Sequence, residues 1–475
     1  MALVSLAGCQ VGPEYERPPI DLGPSFRYDL SPAGWQPASL QAVSNVAWWQ
    51  PYGDPVLEQL IDRLNAGSPA IEQAQAQYRQ ALASLRLANA NLYPTLSANA
   101  QLTRADVPMA GPSGAVIGAF GPNTEYNVGL GLSWEVDLWG ALAKAEQRAG
   151  AQLQASAADL AGARLSAQTA LASSYFQLRG LDQQIALLNR SVETYTQSLA
   201  LTQNLVRAGL ADPGDVAVAS SQLEGARSQR IEAQRRRMLL ENAVATLTGQ
   251  TPSQVNIMTD FVWKAHLVKT PPGVPSGLLL RRPDIAAAEK RVAAANAQLG
   301  VATAAWFPSL TISANAGFQS TQFDQWFAAP AQFWALGPAL AGALLDAGRR
   351  SARIEQAQAD LDVQAASYRS VVLRGMQEVE DALVQIKMLG DQALSQALAV
   401  KAAREAVRMR RNQYEKGLVD FLGVAVLETT ALNAERTLIG LQTEQMVASV
   451  QLVAALGGGW SVDELPDPGN AMRAP

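Results

Sequence analysis

The sequence predicts a mainly α-helical chain that also carries four strands of a membrane β-barrel and is built by internal duplication. Three observations carry that expectation. The residues are 48% hydrophobic but only 6% aromatic and 17% charged, a composition rich in Ala, Leu and Val that suits long helices. Landmark residues recur at matched spacing in two halves. Several stretches of about ten residues alternate apolar with polar, as a strand does between lipid and water.

Composition also excludes function classes. The 475 residues include 37 Lys+Arg and 42 Asp+Glu, a net charge of −5, so no positive field awaits a phosphate backbone and nucleic acid is not an expected partner. One Cys forbids an intrachain disulfide, and one His, His266, removes His-rich metal sites and imidazole triads. No GxSxG, Walker loop, HExxH or CxxC pattern occurs. The expectation is a protein that is not an enzyme and binds no metal or cofactor beyond a covalent lipid.

That lipid is expected on Cys9. Leu6-Ala7-Gly8-Cys9 resembles a bacterial lipobox, whose small residues admit a signal peptidase and whose Cys thiol receives a diacylglycerol; Gln10 resembles the residue of lipoproteins sorted to the outer membrane. Residues 1–8 then read as the remnant of a signal peptide. Residues 9–51 follow as a lipid-anchored extended segment, because Pro13, Pro18, Pro19, Pro24, Pro32, Pro37 and Pro51 fix φ and remove donors. Fully stretched, about 40 residues reach on the order of 130 Å. No later apolar run is long enough for a transmembrane helix.

Punctuation reveals the duplication. Tyr93-Pro94-Thr95-Leu96 answers Phe307-Pro308-Ser309-Leu310, Asp137-Leu138-Trp139-Gly140 answers Asp346-Ala347-Gly348, and Ala208-Gly209-Leu210 answers Lys416-Gly417-Leu418. The interval from Gly140 to Gly209 equals that from Gly348 to Gly417, at 69 residues. Repeat 1 is thus 52–249 and repeat 2 is 277–460, joined by a Pro-rich linker at 250–276 and followed by a tail at 461–475.

Between the paired glycines, long helices are expected at about 141–207 and 350–416, each roughly 100 Å at 1.5 Å per residue. Leu178, Leu181, Ile185, Leu188, Val192, Tyr195 and Leu199 recur at alternating spacings of three and four, a coiled-coil seam that Val372, Met376, Val379, Leu383 and Ile386 repeat. Shorter helices flank each long one, with Asp212-Pro213 a cap and first residue. Strands are expected at about 95–105, 125–137, 309–321 and 333–346, the last apolar on both faces. The segment from Asp106 to Asn123, rich in Gly and Pro, reads as an exposed barrel loop, and Trp326, Phe327, Phe333 and Trp334 as either an aromatic girdle or loop packing. Arg235-Arg236-Arg237 reads as an ion-pairing helix edge.

Four strands cannot close a barrel in lipid, so the chain must oligomerise, and two, three or four copies all satisfy the count.

Three stretches then carry a resemblance over nearly the whole chain: Trp48-Trp49-Gln50-Pro51-Tyr52-Gly53-Asp54-Pro55, Leu279-Leu280-Arg281-Arg282-Pro283-Asp284-Ile285 with Ala288-Glu289, and Ala455-Leu456-Gly457-Gly458-Gly459-Trp460. With them the sequence resembles the TolC-like outer-membrane efflux protein family, in its lipoprotein (NodT-type) branch. The resemblance implies a homotrimer with a 12-stranded barrel in outer-membrane lipid and a long helical barrel in the periplasm. It implies a passive exit duct for drugs or other small molecules, completed by a periplasmic adaptor and driven by an inner-membrane resistance-nodulation-division pump.

It also implies site residues. Gly209, Leu210, Gly417 and Leu418 match the hairpin turns that contact the adaptor. Asp420, Leu422 and Val426 fall where family members narrow the tube, with Glu428, Asp212 and Asp215 the nearest other acids. Val426 stands where many relatives have Asp, which favours a partly hydrophobic gate, while Asp420 and Asp212 also suit helix caps. Two alternatives remain: the outer-membrane duct of a type I protein secretion system, and a lipid-anchored periplasmic scaffold that never conducts.

Overall fold

The computed structural model describes residues 11–23, 25–28, 47–106, 109–110, 116–118, 122–264, 266–268 and 275–473. Helix α1 (Pro55–Gly67) begins where the Asp54 carboxylate accepts the Val56 and Leu57 N–H groups, and α2 (Pro69–Ala90) starts on a proline that has no N–H to leave unpaired. Strand β1 (Thr95–Ala105), a short ribbon of β2 (Met109–Ala110) and β3 (Val116–Gly118), and strand β4 (Asn123–Val136) follow. The ribbon occupies part of the segment expected to be loop alone. Then come α3 (Ala141–Arg207) and α4 (Pro213–Leu247). The second half repeats the order as α5 (Leu278–Arg281), α6 (Pro283–Ala304), β5 (Ser309–Ser320), β6 (Gln332–Ala341), α7 (Arg349–Glu415) and α8 (Phe421–Ala455), before a closing α9 (Pro468–Arg473).

Equivalent helices have equal lengths: 22 residues in α2 and α6, 67 in α3 and α7, 35 in α4 and α8. The short helices meet end to end beside the long ones. Gly249, at the end of α4, adjoins the carbonyl of Gly67 at the head of α2, and Gly457, at the end of α8, adjoins the carbonyl of Arg281 at the head of α6. The coiled-coil seams are the buried lines of this packing: Ile185, Leu188 and Tyr195 on α3 and Val372, Val379 and Leu383 on α7 all lie in core clusters.

The main sheet is antiparallel in the order β1-β4-β5-β6, and among the described residues β1 and β6 are its open edges. Its register aligns the apolar positions in rows: Leu96 with Leu132 and Ala314, Ala98 with Leu130 and Ala316, and Ala316 in turn with Trp334. Ser97, Asn99, Gln101, Asn127, Asn315 and Gln319 belong to the opposite face. The last strand is shorter than expected. It stops at Ala341 opposite Ser309, because Pro308 has no N–H with which to extend the ladder; Gly342 sits against Pro308, and Leu344 and Leu345 are exposed.

The described parts of the segments outside the repeats are packed. Val11 N–H donates to the Trp139 carbonyl beside the base of the sheet, and the extended chain then runs along α6 and α7, where Tyr15 meets Glu289, Arg17 meets Tyr368, and Phe26 is buried. Val255 and Ile257 of the linker enter the core around α3. The C-terminal tail is not loose either: Ala471 and Met472 of α9 pack on Leu85 of α2 and Leu153 of α3.

Candidate functional site

The two helical hairpins end in the same turn. After α3, Gly209 adopts φ +70°, its N–H bonds the Val206 carbonyl, and the Leu210 N–H reaches back to Leu205 at 2.9 Å. After α7, Gly417 adopts φ +73°, its N–H bonds Tyr414, and the Leu418 N–H reaches Gln413 at 3.0 Å. These are Schellman motifs, which satisfy otherwise orphaned carbonyls and require a residue free to enter the left-handed region. Each turn aims one large apolar side chain outward, Leu210 at 74% and Leu418 at 70% exposure.

The following helices start on carboxylates. Asp212 accepts the Gly214 N–H at 2.6 Å, and Asp420 accepts the Gly423 N–H at 3.2 Å while standing 3.7 Å from Arg410. Asp212, Asp215 and Asp420 share a cleft of about 810 Å³ with Leu210, Gly417 and Leu422. Partial burial, then the neighbouring charges of Asp212 and Asp420, raise the Asp215 carboxyl above its ordinary value, against a hydrogen bond from the Phe421 backbone. The hairpins are latched to each other just above this cleft. The hydroxyls of Thr202 and Tyr414 lie 3.0 Å apart, and the Tyr414 ring packs on Phe421 at 5.4 Å.

Leu422 and Val426, four residues apart on one face of α8, are 54% and 55% exposed. Glu428 does not join them, which corrects the expected grouping. It lies two residues past Val426, about 200° around a helix of 3.6 residues per turn, and is only 5% exposed. One of its oxygens accepts from Gln222 of α4 at 3.2 Å; the other has no hydrogen-bond partner among the described residues. Burial raises its pKa, opposed by Arg411 and the Gln222 hydrogen bond.

At the sheet, Tyr126, Phe318, Phe323, Trp326 and Phe327 form a chain of ring contacts of 4.9–6.2 Å around the β5–β6 turn. At the opposite end Trp139 stacks on Phe307 at 4.7 Å. Trp334 is exposed on the apolar face. Phe333, grouped with it in the sequence reading, lies on the polar face, as the alternation of side chains along a strand requires.

The family model for outer membrane efflux proteins matches residues 60–250 and 274–458, one span in each repeat. The chain belongs to the outer membrane efflux protein family. Among relatives, it is 31% identical to the pyoverdine export outer membrane protein OpmQ of Pseudomonas putida, over 91% of this chain and 93% of that one. It is 28% identical to the toluene efflux pump outer membrane protein TtgC of the same species, over 96% and 93%. The solved outer-membrane channel OprN superposes with a TM-score of 0.86 at 29% identity, covering 95% of this chain and 100% of that one. This protein is an outer-membrane efflux channel.

The stretches that carried the family resemblance turn out to be architectural in this efflux protein. Trp48 donates to Gln168 at 3.0 Å, the Tyr52 hydroxyl lies 2.9 Å from Ser449 Oγ, and Asp54 accepts from Tyr175 at 2.7 Å as well as capping α1. Arg282 fastens the head of α6 to the Ala455 carbonyl of α8 at 2.9 Å and to Glu378 of α7 at 2.7 Å. One element escaped the sequence reading. The Asp182 carboxylate is fully buried on α3 between Arg179 at 2.9 Å and Arg237 of α4 at 2.6 Å, and both guanidiniums also hold linker carbonyls, those of Met258 and Ile257. Arg237 therefore leaves the exposed edge on which Arg235 and Arg236 pair with Glu232. Cys9 lies outside the described residues.

Proposed function

We propose that this channel is the exit duct of a tripartite efflux pump, assembled from three copies and passive in itself. The observation that carries the reading is the pair of open sheet edges on β1 and β6 beside a face of exposed Leu96, Leu130, Trp334 and Leu336. Backbone groups left unpaired in lipid cost several kcal/mol each, so such a sheet is stable in a membrane only when closed. Three copies of four strands make a 12-stranded barrel with the apolar face on lipid and the polar face on the lumen. The α3–α4 and α7–α8 hairpins then continue the lumen into the periplasm.

In this reading Leu210 and Leu418, with the turns at Gly209 and Gly417, meet the hairpins of a periplasmic adaptor, and an inner-membrane resistance-nodulation-division pump supplies the energy. Leu422 and Val426 narrow the closed tube, and on their tip side the caps Asp420 and Asp212, with Asp215 in the first turn of α4, hold negative charge at the mouth. A lipid on Cys9 fits the path of the chain, since Val11 is bonded beside the base of the sheet. The names of relatives, toluene, antibiotic and pyoverdine exporters, point to organic small molecules as cargo.

The test places a photo-crosslinking amino acid at Leu418 in living cells and identifies the captured protein by mass spectrometry. Capture of an efflux adaptor is expected. Capture of a type I secretion adaptor moves the function to protein export, and repeated capture of nothing overturns tip docking and favours a scaffold.

A further inference from the structure

On the polar face of the main sheet, small and neutral polar residues dominate. Among its described residues the charged groups are Glu125 and Glu135, and the one aromatic ring is Phe333. Phe333 is paired with Gly317, which is paired with Gly129. A Cβ on Gly317 would collide with the Val128 carbonyl, and one on Gly129 would sit 3.6 Å from Phe333 Cζ. The two glycines thus leave a shallow trough across two strands, and the half-exposed Phe333 ring reaches over it, its Cζ above Gly129. Beside it is a cleft of about 470 Å³ lined by Phe333, Glu125, Gln319, Gln325 and Gln332, within the size range of small-molecule sites. Glu125 is held in place by a hydrogen bond from the Gln319 amide.

The geometry points to a transient cargo site at the outer end of the barrel, formed by the Phe333 ring and the Glu125 carboxylate and selective for planar aromatic cations. The inference rests on the exit-duct reading, which turns this face toward the lumen. A partly exposed aromatic ring can stack on a flat aromatic molecule and attract its positive charge, while the carboxylate supplies the counter-charge without a competing base among the described residues of this face. Neutral or anionic cargo gains only one of these contacts or neither. Three such sites would encircle the exit of a trimer.

The experiment records single channels of the full-length protein in planar bilayers, with ethidium as an aromatic cation and tetraethylammonium as a non-aromatic one. Phe333→Ala is expected to shorten ethidium-induced interruptions about fivefold and to leave those of tetraethylammonium unchanged. Glu125→Gln is expected to shorten both. Phe333→Leu still covers the glycine trough, so it keeps the sheet intact and should behave as Phe333→Ala does; it serves if the alanine variant fails to assemble. Conducting channels whose ethidium interruptions are unaltered by either Phe333 variant overturn the site and reduce the ring to a cover for the glycines. A folded protein that never conducts, even with Leu422→Ser and Val426→Ser together, overturns the duct reading, and this site with it.

Discussion

Gly249 approaches Gly67 so closely that a Cβ on Gly249 would lie 2.0 Å from the Gly67 carbonyl oxygen, and Gly249 itself adopts φ +72°. The second repeat makes the same contact between Gly457, at φ +93°, and the Arg281 carbonyl, also 2.0 Å from the missing Cβ. These seams let α4 and α8 butt against the helices that continue them. The tip glycines Gly209 and Gly417 have equally positive φ but nothing within 4 Å. Alanine at a tip should therefore cost about 1 kcal/mol of backbone strain, whereas Gly249→Ala or Gly457→Ala adds overpacking of roughly 1–3 kcal/mol. Thermal unfolding followed by circular dichroism should rank the seam variants well below the tip variants; equal midpoints would show that the seam can open without loss.

Those glycines explain why the duplication was legible. A helix that must stop in a left-handed turn writes Gly at the stop, so Gly209 and Gly417 mark equivalent ends at equal intervals whatever the intervening side chains. Asp212 was likewise legible as a cap from the proline after it. The sheet was legible because lipid and water impose period two on every strand, except where pairing runs out: nothing local to residues 342–346 reveals that Pro308 ends the partner strand. What the sequence hid are side chains whose partners are distant. Asp182 is one acid among 42 acidic residues until Arg237, 55 positions away, and the linker N–H of Asp260, 78 away, converge on it. Glu428 was misgrouped by its closeness in sequence: it lies about 200° around α8 from Val426, on the side where Gln222 of another helix meets it.

Asp182 makes a stability prediction. Its carboxylate is shared by two guanidiniums, one of them also bonded to Tyr175, which in turn donates to Asp54 at the head of α1. Asp182→Asn leaves the volume intact but strands positive charge in the core, a loss of about 3–5 kcal/mol. Because Arg179 and Arg237 also hold the linker, residues 255–263 should become the first site of proteolytic cleavage in the variant. Cleavage elsewhere with the linker intact would mean that the network does not anchor it.

At the tips, Leu422 and Val426 present an apolar face with no carboxylate among them, Glu428 having turned inward. In the exit-duct reading proposed above, a constriction lined by them would exclude water and ions by dewetting instead of by charge. Replacing both with Ser should raise the resting conductance of the isolated channel several-fold, with little change in helix content. Unchanged conductance in planar bilayers would place the constriction elsewhere, with the Thr202–Tyr414 latch the next position to open.

Glu428 makes the opposite prediction from a salt-bridged acid. Burial is the main cause of its raised pKa; facing it are Gln222 of α4 and Arg411 of α7, with the Tyr195 hydroxyl of α3 close enough to feel its charge. A carboxyl whose pKa is higher folded than unfolded binds more protons in the folded state, so its favourable contribution is complete below the ordinary carboxylate pKa and is lost as pH rises through the raised value. Above that raised value the wild type carries a buried charge with one oxygen unpaired among the described residues. Glu428→Gln keeps an acceptor for Gln222 and removes that charge, so it should stabilise the channel at pH 8 by about 1 kcal/mol and leave it unchanged at pH 4. Thermal midpoints of both proteins across that range decide the matter. A variant that loses stability at pH 8 would mean that the charged form is held by Arg411 and that burial is the lesser effect.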